Sequence, residues 1–183
     1  MTRGFALFAT AVGPCGIAWG DGGIVGVNLP EGDEAATRDR LRRRFAPARE
    51  CAPPPEVQQA IDAIVALLRG ERVELAGIRL DMRDVPPFQR RVYEAAREIA
   101  PGSTLSYGDI ARRLGDPGAA RSVGHALGRN PFTIVVPCHG VLAAGDKPGG
   151  FSAYGGVTTK LQLLAIEGAL GNEPGLFDAE SPL

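Results

Sequence analysis

The sequence predicts an α/β protein: a small N-terminal α/β domain built on an antiparallel sheet, followed by a mainly helical C-terminal domain that contains a helix-turn-helix. Three observations lead to this prediction. Short apolar runs alternate with glycine-rich turns in the first 30 residues, and apolar residues recur at helical spacing from Val57 to Leu68. Two short helical patterns flank a four-residue turn, Gly115-Asp116-Pro117-Gly118.

The N-terminal elements are bounded by turn and capping residues. Asp21-Gly22-Gly23 between two apolar runs is a hairpin signal, and Asp33 can cap a helix that ends at Phe45. The alternating run Ile78–Met82 is typical of a half-buried strand. The predicted strands are 5–9, 16–19, 24–27 and 78–82, in a domain expected to span residues 1–84.

The helix that ends at Phe45 is rich in arginine. Such a cluster lies more often on a solvated helix face than in a nucleic-acid site, and the solvated face is the prediction here. The arginines are Arg38, Arg40, Arg42, Arg43 and Arg44.

The C-terminal domain is expected to span residues 85–168, and the Gly-, Pro- and acid-rich tail 169–183 is expected to be disordered. Ser106, followed three residues later by Asp109, predicts a capping box that opens the first motif helix. The second motif helix, from Ala119 to Leu127, is built largely from small residues. Small residues allow close approach to the narrow minor groove of DNA, although a packing helix would use them too. They are Ala119, Ala120, Ser122, Gly124 and Ala126.

Cys138 and His139 follow an apolar run, Ile134–Val136, and a proline. A run of this kind is usually buried, so it would bring both side chains to the edge of a core. A cysteine reacts as its thiolate, and a nearby imidazole can accept its proton. The alternative is a structural cysteine beside a hydrogen-bonded histidine, because neighbours on an extended strand point to opposite faces.

Composition and charge limit the function classes. The formal net charge of -1 does not suit binding of nucleic acid by bulk electrostatics, but seven arginines against four acids between Phe88 and Pro131 leave a local positive excess. No apolar run approaches the roughly 20 residues needed to span a bilayer, so no membrane attachment is expected. Cys15, Cys51 and Cys138 lack disulfide or metal-ligand spacing, which predicts a cytoplasmic protein without a metal site.

Motifs on both sides of Cys138 complete a wider pattern. Asn130-Pro131 precedes the thiol, Pro137-Cys138-His139-Gly140-Val141 contains it, and Gly155-Gly156, Lys160 and Leu163-Leu164-Ala165-Ile166-Glu167-Gly168 follow it. This pattern resembles the O6-alkylguanine-DNA alkyltransferases, also called methylated-DNA-protein-cysteine methyltransferases, whose signature is Pro-Cys-His-Arg-Val. The resemblance covers about Pro87 to Gly168 and is weak before that. Gly140 replaces the arginine of the signature.

The resemblance implies direct DNA repair. An alkyl group on O6 of guanine, or on O4 of thymine, would pass to Cys138 in a single, stoichiometric turnover. His139 would accept the thiol proton through a water, Glu167 would orient the imidazole, and Tyr107 would donate a proton or hydrogen bond to the purine. Asn130 would brace the turn that leads to Cys138.

The resemblance also implies how DNA is held. Arg121 would insert into the duplex in place of the extruded nucleotide, while Ala119, Ala120, Ser122 and Gly124 would line the minor groove. Val141, Tyr154 and Gly155 would contact the guanine. The partner is therefore double-stranded DNA with an alkylated guanine, bound by a monomer that needs no cofactor.

Two other functions remain open from the sequence. A non-catalytic protein that recognises alkylated DNA, or a regulatory DNA-binding protein, would leave Cys138 unalkylated. A cysteine hydrolase using Cys138, His139 and Glu167 would turn over many times on an ester or thioester.

Overall fold

The computed structural model describes residues 2–143 and 156–167, and the predicted tail 169–183 lies outside them. The first half is a four-stranded sheet with two helices. Its strands are β1 (Thr2–Thr10), β2 (Gly13–Gly20), β3 (Gly23–Asn28) and β4 (Arg49–Glu50). Its helices are α1 (Glu34–Arg44) and α2 (Pro55–Leu68). The sheet order is β3-β2-β1-β4, antiparallel in the first three strands, with β4 added parallel to β1.

The second half is mainly helical, as predicted. Its helices are α3 (Pro87–Ala96), α4 (Tyr107–Arg113), α5 (Ala120–Gly128) and α6 (Gly156–Ile166). Two short parallel strands, β5 (Leu105–Ser106) and β6 (Val141–Leu142), pair beside them. A 3-10 turn, Pro117–Ala119, connects α4 to α5 and completes the helix-turn-helix.

Local signals account for several of these boundaries. The Asp33 carboxylate accepts a hydrogen bond from the Ala36 N–H at 2.8 Å and so caps α1. Gly70 has a φ of 90°, the left-handed conformation that favours glycine just beyond the end of α2. The apolar face of α2, which includes Val57, Ile61 and Ile64, is buried against the sheet.

The predicted strand Ile78–Met82 is wrong. The segment makes one isolated parallel bridge, between Leu80 and Ile24. Ile24 N–H donates to the Arg79 carbonyl at 3.0 Å and Asp81 N–H donates to the Ile24 carbonyl at 2.8 Å. Sequence alternation shows which face of a segment is apolar, but this segment passes the end of β3 at a single residue, so no ladder forms.

The two halves share apolar packing. The core between the sheet and α2 includes Ile17, Trp19 and Leu67, and it also contains Ile134, Val135 and Leu163 from the second half. A separate core within the second half contains Val92, Tyr93, Ile110, Val123, Leu127, Phe132 and Cys138. The loop before Cys138 and helix α6 therefore pack on the N-terminal sheet. No described helix is long and apolar enough to cross a membrane.

Candidate active site and DNA interface

The loop from Asn130 to Val136 leads directly to Cys138, and Asn130 organises it from within. The side chain of Asn130 is 9% exposed. Its Nδ2 donates to the Val136 carbonyl at 3.0 Å, and its Oδ1 accepts the Phe132 N–H at 2.9 Å. One amide thereby satisfies a donor and an acceptor on opposite sides of the loop, which is the bracing expected of this residue.

The run Ile134–Val136 is buried as predicted, but it is a turn and not a strand. Val136 N–H donates back to the Phe132 carbonyl at 2.8 Å, and Ile134 has a φ of 77°. A β-branched residue in the left-handed region is strained and persists only where its surroundings hold it. Ile134 is 1% exposed and packs in the core of the N-terminal half, so apolar burial offsets the backbone cost.

Two successive tight turns then fix the position of Cys138. Cys138 N–H donates to the Val136 carbonyl at 2.8 Å across Pro137, whose φ of -80° and ψ of 64° are those of an inverse γ-turn. Gly140 N–H donates to the Pro137 carbonyl at 2.8 Å, closing a 3-10 turn over Cys138–Gly140. Cys138 is 6% exposed and lies in the core of the second half. The turns therefore replace the extended strand that would have pointed neighbouring side chains apart.

Gly140 is buried but is not required by space. A Cβ built on it would lie 3.5 Å from Ile99 Cγ2 and from the Ser103 carbonyl oxygen, which is ordinary van der Waals contact. Its φ lies outside the left-handed region. Neither sterics nor backbone conformation explains why glycine stands here.

Tyr107 is brought next to Cys138 by the small sheet. Leu105 pairs with Val141 and Ser106 pairs with Leu142, so the first residue of α4 lies beside the turn that holds the thiol. The pKa of Tyr107 is raised above its ordinary value, first by burial and then by the negative charge of a Cys138 thiolate. Tyr107 is therefore protonated at neutral pH and can donate a hydrogen bond.

Lys160 was noted in the sequence only as a motif residue, yet it is the most buried charged group of the described site. It is 0% exposed, and its Nζ donates to the Val141 carbonyl. The Nζ also lies 5.8 Å from the centroid of the Tyr107 ring. Burial lowers the pKa of Lys160 to about 8, while a negative Cys138 opposes that shift. A lone lysine four residues beyond a Gly-Gly pair gives no sequence signal of such burial.

Tyr93 is a second residue that sequence analysis did not single out. It is 0% exposed, and its hydroxyl donates to the Ala126 carbonyl of α5 at 2.7 Å. Its ring packs edge-on against Phe132 at 6.4 Å between centroids. Burial, followed by the charge of Cys138, raises the pKa of Tyr93 to about 12, with Arg129 opposing. Tyr93 thus joins α3, the motif helix α5 and the loop before the thiol.

Of the other predicted catalytic and guanine-binding residues, Glu167 and Val141 lie within the described part of the chain. Glu167 follows α6 and, with Ile134, Val135 and Pro137, lines a cavity of about 220 Å³ on the side of the loop facing the N-terminal half. Val141 is 0% exposed and its carbonyl accepts Lys160. The side chain of His139 and the residues Tyr154 and Gly155 lie outside the described part. Within that part, no three His, Cys, Asp or Glu residues form a group that could hold a metal.

The helix-turn-helix begins with the predicted capping box. Ser106 Oγ accepts the Asp109 N–H at 3.0 Å, and Asp109 Oδ2 accepts the Ser106 N–H at 2.9 Å. The hydrogen bond from the Ser106 backbone, as the largest cause, lowers the pKa of Asp109. The box fixes the start of α4, and with it Tyr107.

Helix α5 presents a polar, open face. Arg121, Ser122 and His125 are exposed, and a Cβ added at Gly124 would meet no atom within 4 Å. Ala119 is 7% exposed and packs in the core with the partly buried Ala120, so little of either side chain could reach DNA. Of the predicted contacts on this helix, Arg121, Ser122 and Gly124 are therefore the accessible ones.

Most arginines between Phe88 and Pro131 bind carbonyl or carboxylate groups of the protein itself. Arg90 and Arg91 donate to the carbonyls of Met82 and Leu114, and Arg97 donates to three carbonyls of the 75–78 segment. Arg112 pairs with Asp109, and Arg113 with Glu98. Among the described residues, the exposed Arg121 and Arg129 have no such partner, which leaves them able to meet phosphates or bases.

The sequence is similar to a known protein family over the C-terminal half and to whole relatives over most of its length. Residues 87–169 match the family model described as 6-O-methylguanine DNA methyltransferase, DNA binding domain. The methylated-DNA–protein-cysteine methyltransferase of Methanothermobacter thermautotrophicus is 36% identical over 153 residues, covering 84% of this chain and 78% of the relative. The protein of the same name from Mycobacterium tuberculosis is 41% identical over 129 residues, covering 69% and 76%.

Solved structures extend the likeness to the whole fold. The O6-methylguanine methyltransferase of M. tuberculosis superposes with a TM-score of 0.74 at 32% identity, covering 94% of this chain and 96% of that one. The M. tuberculosis OGT in complex with DNA gives 0.73 at 33% identity, covering 90% and 92%. The chain therefore belongs to the methylated-DNA–protein-cysteine methyltransferases, DNA-repair proteins that transfer an alkyl group from DNA to a cysteine.

Proposed function

We propose that this protein transfers an alkyl group from O6 of guanine in double-stranded DNA to Sγ of Cys138, once per molecule, with O4 of thymine as a further acceptable position. The observation that carries the assignment is the placement of the 6%-exposed Cys138 beside the buried Lys160 and Tyr107, on a loop braced by Asn130. Cys15 is buried away from this site in the other core, and the pKa of its thiol is raised to about 11, chiefly by burial. Cys51 is exposed, with no buried cation beside it in the described residues.

The chemistry is a displacement at the alkyl carbon. A bond forms between Sγ of Cys138 and that carbon while the bond from carbon to O6 breaks, and the electron pair passes to the purine. The thiol proton leaves through a water to His139, which Glu167 orients, and the purine regains a proton from Tyr107. The raised pKa of Tyr107 means that its hydroxyl is protonated at neutral pH, and the proton that it gives to the purine is replaced through water by the one that His139 took up. The resulting thioether is stable, so no second turnover follows.

DNA binding is assigned to α5. The exposed Arg121 and Ser122 and the partly exposed Gly124 would face the minor groove, with Arg121 filling the space of the extruded nucleotide. Extrusion is needed because O6 cannot reach a buried thiol while the base is stacked, and unstacking costs a few kcal/mol. Ala119 and Ala120 would act through close backbone approach, and Val141, Tyr154 and Gly155 would bound the guanine. The protein would act as a monomer in the cytoplasm, with a catalytic domain from residue 85 to 168.

The test is the mass of the protein and of its peptides after incubation with duplex DNA that contains O6-methylguanine. We expect one added methyl group, on the peptide with Cys138, and one unmodified guanine per protein molecule. Cys138→Ala should gain nothing. Cys51→Ala, which removes the exposed thiol, should gain the methyl group as the wild type does.

Three results would contradict the proposal. A methyl group on Cys51 or Cys15 would place the acceptor elsewhere. Binding of the damaged duplex without an adduct would indicate recognition without transfer. Several turnovers per thiol on an ester or thioester would indicate a hydrolase.

A further inference from the structure

The loop that carries Cys138 is held from outside by the N-terminal half at one backbone atom. The Pro131 carbonyl oxygen accepts the Val27 N–H of β3 at 2.9 Å and Nη2 of Arg44, the last residue of α1, at 3.1 Å. Pro131 directly follows Asn130, whose amide closes the same loop from within. The loop is therefore fixed from outside by Val27 and Arg44 of the N-terminal half and from within by Asn130 of the C-terminal half.

Arg44 is itself fixed in place. Its Nη1 donates to the Oδ1 of Asn28, which is 6% exposed, and its guanidinium lies 4.7 Å from the centroid of the Phe45 ring. Burial, with a smaller effect of Arg40, lowers its pKa from the ordinary value. The prediction that all five arginines of α1 lie on a solvated face therefore fails at this residue.

The other arginines of α1 show what the solvated face looks like. Arg38 pairs with Glu34 at 3.0 Å and Glu50 at 2.9 Å, near its own helix. Arg42 is 60% exposed and lies 3.8 Å from Asp39, one turn away. Neither has a described hydrogen bond to the C-terminal half, so Arg42 offers a matched control on the same helical turn.

The loop needs such external contacts because its conformation is not a relaxed one. Ile134 has a φ of 77°, and a non-glycine residue in this region persists only when its surroundings determine it. Asn130 fixes the loop at Phe132 and Val136, but it cannot fix the loop relative to the N-terminal sheet. The bidentate Arg44, bound to Asn28 on one side and Pro131 on the other, supplies a side-chain connection of this kind, beside the Val27 N–H and the apolar packing of Ile134 and Val135.

We propose that Arg44 is a positioning residue for alkyl transfer: through the Pro131 carbonyl it sets the loop that carries Cys138, although it lies in the half of the chain that contributes no reacting group. The inference rests on the proposed function. It gives the N-terminal half a defined part in the reaction, namely fixing the nucleophile relative to the bound base. Small errors in such placement cost up to about 100-fold in rate.

The test compares single-turnover methyl transfer in full-length variants at saturating DNA that contains O6-methylguanine. Arg44→Met keeps the apolar stem but removes both donors, and we expect a transfer rate about 10-fold below wild type. Arg44→Lys keeps a donor for the Pro131 carbonyl but loses the planar fork that also binds Asn28, so it should transfer about threefold below wild type and faster than Arg44→Met. Arg42→Met, which removes an exposed guanidinium, should transfer at the wild-type rate.

A residue that only stabilised the fold would behave differently. All variants are compared at a temperature where circular dichroism shows them folded, and the Kd for an undamaged duplex is measured in parallel. We expect that Kd to change less than about twofold, so that the loss lies in the step after binding. Asn28→Ala should slow transfer about threefold, and the double variant should be no slower than Arg44→Met alone, by the logic of a double-mutant cycle.

The outcomes separate the inference from the function on which it rests. If the wild type gains no methyl group, the proposed function fails first. If the wild type transfers and folded Arg44→Met transfers equally fast, or if Arg44→Lys is as slow as Arg44→Met, Arg44 has no positioning part. Should Arg44→Met not fold, Asn28→Ala carries the test: a transfer rate about threefold below wild type supports the inference, and a wild-type rate in that variant would overturn it.

Discussion

Lys160 has no exposed surface, yet its charge interacts with several groups of the candidate site. Its ammonium donates to the Val141 carbonyl, faces the Tyr107 ring and is favoured by a negative Cys138. By reciprocity the ammonium favours the thiolate. A positive charge that burial penalises is thus retained where a nucleophile must ionise.

The transfer rate of the Lys160→Met variant tests whether the ammonium favours the Cys138 thiolate. We expect slower transfer at neutral pH, and a pH–rate profile displaced toward higher pH, because the thiolate loses a cation with which it interacts electrostatically. Transfer rates measured from pH 6 to 9.5 check it. An unchanged profile would show that Lys160 holds only the Val141 carbonyl.

The same residue predicts a pH dependence of stability. Its folded pKa of about 8 lies below the ordinary 10.5, so the unfolded chain binds more protons between those values and stability rises with pH across that window. Between pH 7 and 9.5 the wild type should gain about 2 kcal/mol relative to Lys160→Met. Urea unfolding of both proteins at the two pH values measures the difference. Arg42→Met serves as the control, because it removes an exposed cation and its difference from wild type should stay constant.

Residue types and motif order singled out the candidate reacting groups, but the burial of other site residues could not be read from them. Cys138, Tyr107 and Asn130 were found because a thiol, a phenol and a turn amide have recognisable neighbours in sequence. Lys160 and Tyr93 were not assigned roles, since a lysine in a polar stretch and a tyrosine in an amphipathic helix have unremarkable patterns. Their positions depend on β6 and α5, which are distant in sequence.

At the scale of elements, prediction succeeded where the signal is local. The capping box at Ser106 and the cap at Asp33 each depend on residues within one turn of helix. The strand predicted for 78–82 did not form because the segment meets the sheet at one residue, Ile24. The burial predicted for 134–136 is confirmed, and Asn130 and the strained Ile134 hold that run in a turn.

Replacing Ser106 by alanine tests the element that positions Tyr107. The change leaves the Asp109 N–H without its side-chain acceptor at the start of α4, and it should lower the free energy of unfolding by about 1 kcal/mol. Ser103→Ala, at an exposed position before the helix, should change it by less than about 0.5 kcal/mol. Equal urea midpoints for the two variants would show that the box does not stabilise α4.

At the scale of the whole molecule, the predicted boundary near residue 84 divides the elements but not the packing. Ile134, Val135 and Leu163 complete the core beneath the N-terminal sheet, and the Pro131 carbonyl is bound by that half. Sequence patterns assign each apolar residue to an element without saying which layer it enters. The dependence of the Cys138 loop on both halves could therefore be seen only in the assembled fold.

Shared packing predicts that the two halves unfold together. Trp19, the single tryptophan, reports on the N-terminal core by fluorescence, and alkylation of Cys138 by iodoacetamide, located by peptide mass, reports on the C-terminal core. The two probes should give one urea midpoint.

Val123→Ala removes buried methyl groups from the C-terminal core alone, and at a cost of about 2 kcal/mol it should lower the Trp19 midpoint as much as the Cys138 midpoint. His125→Ala, exposed on the same helix, should move neither. A Trp19 midpoint that stays in place while Cys138 becomes reactive would mean that the halves unfold independently. In that case the N-terminal half could not hold the nucleophile loop through packing, and Arg44 and Val27 alone would connect them.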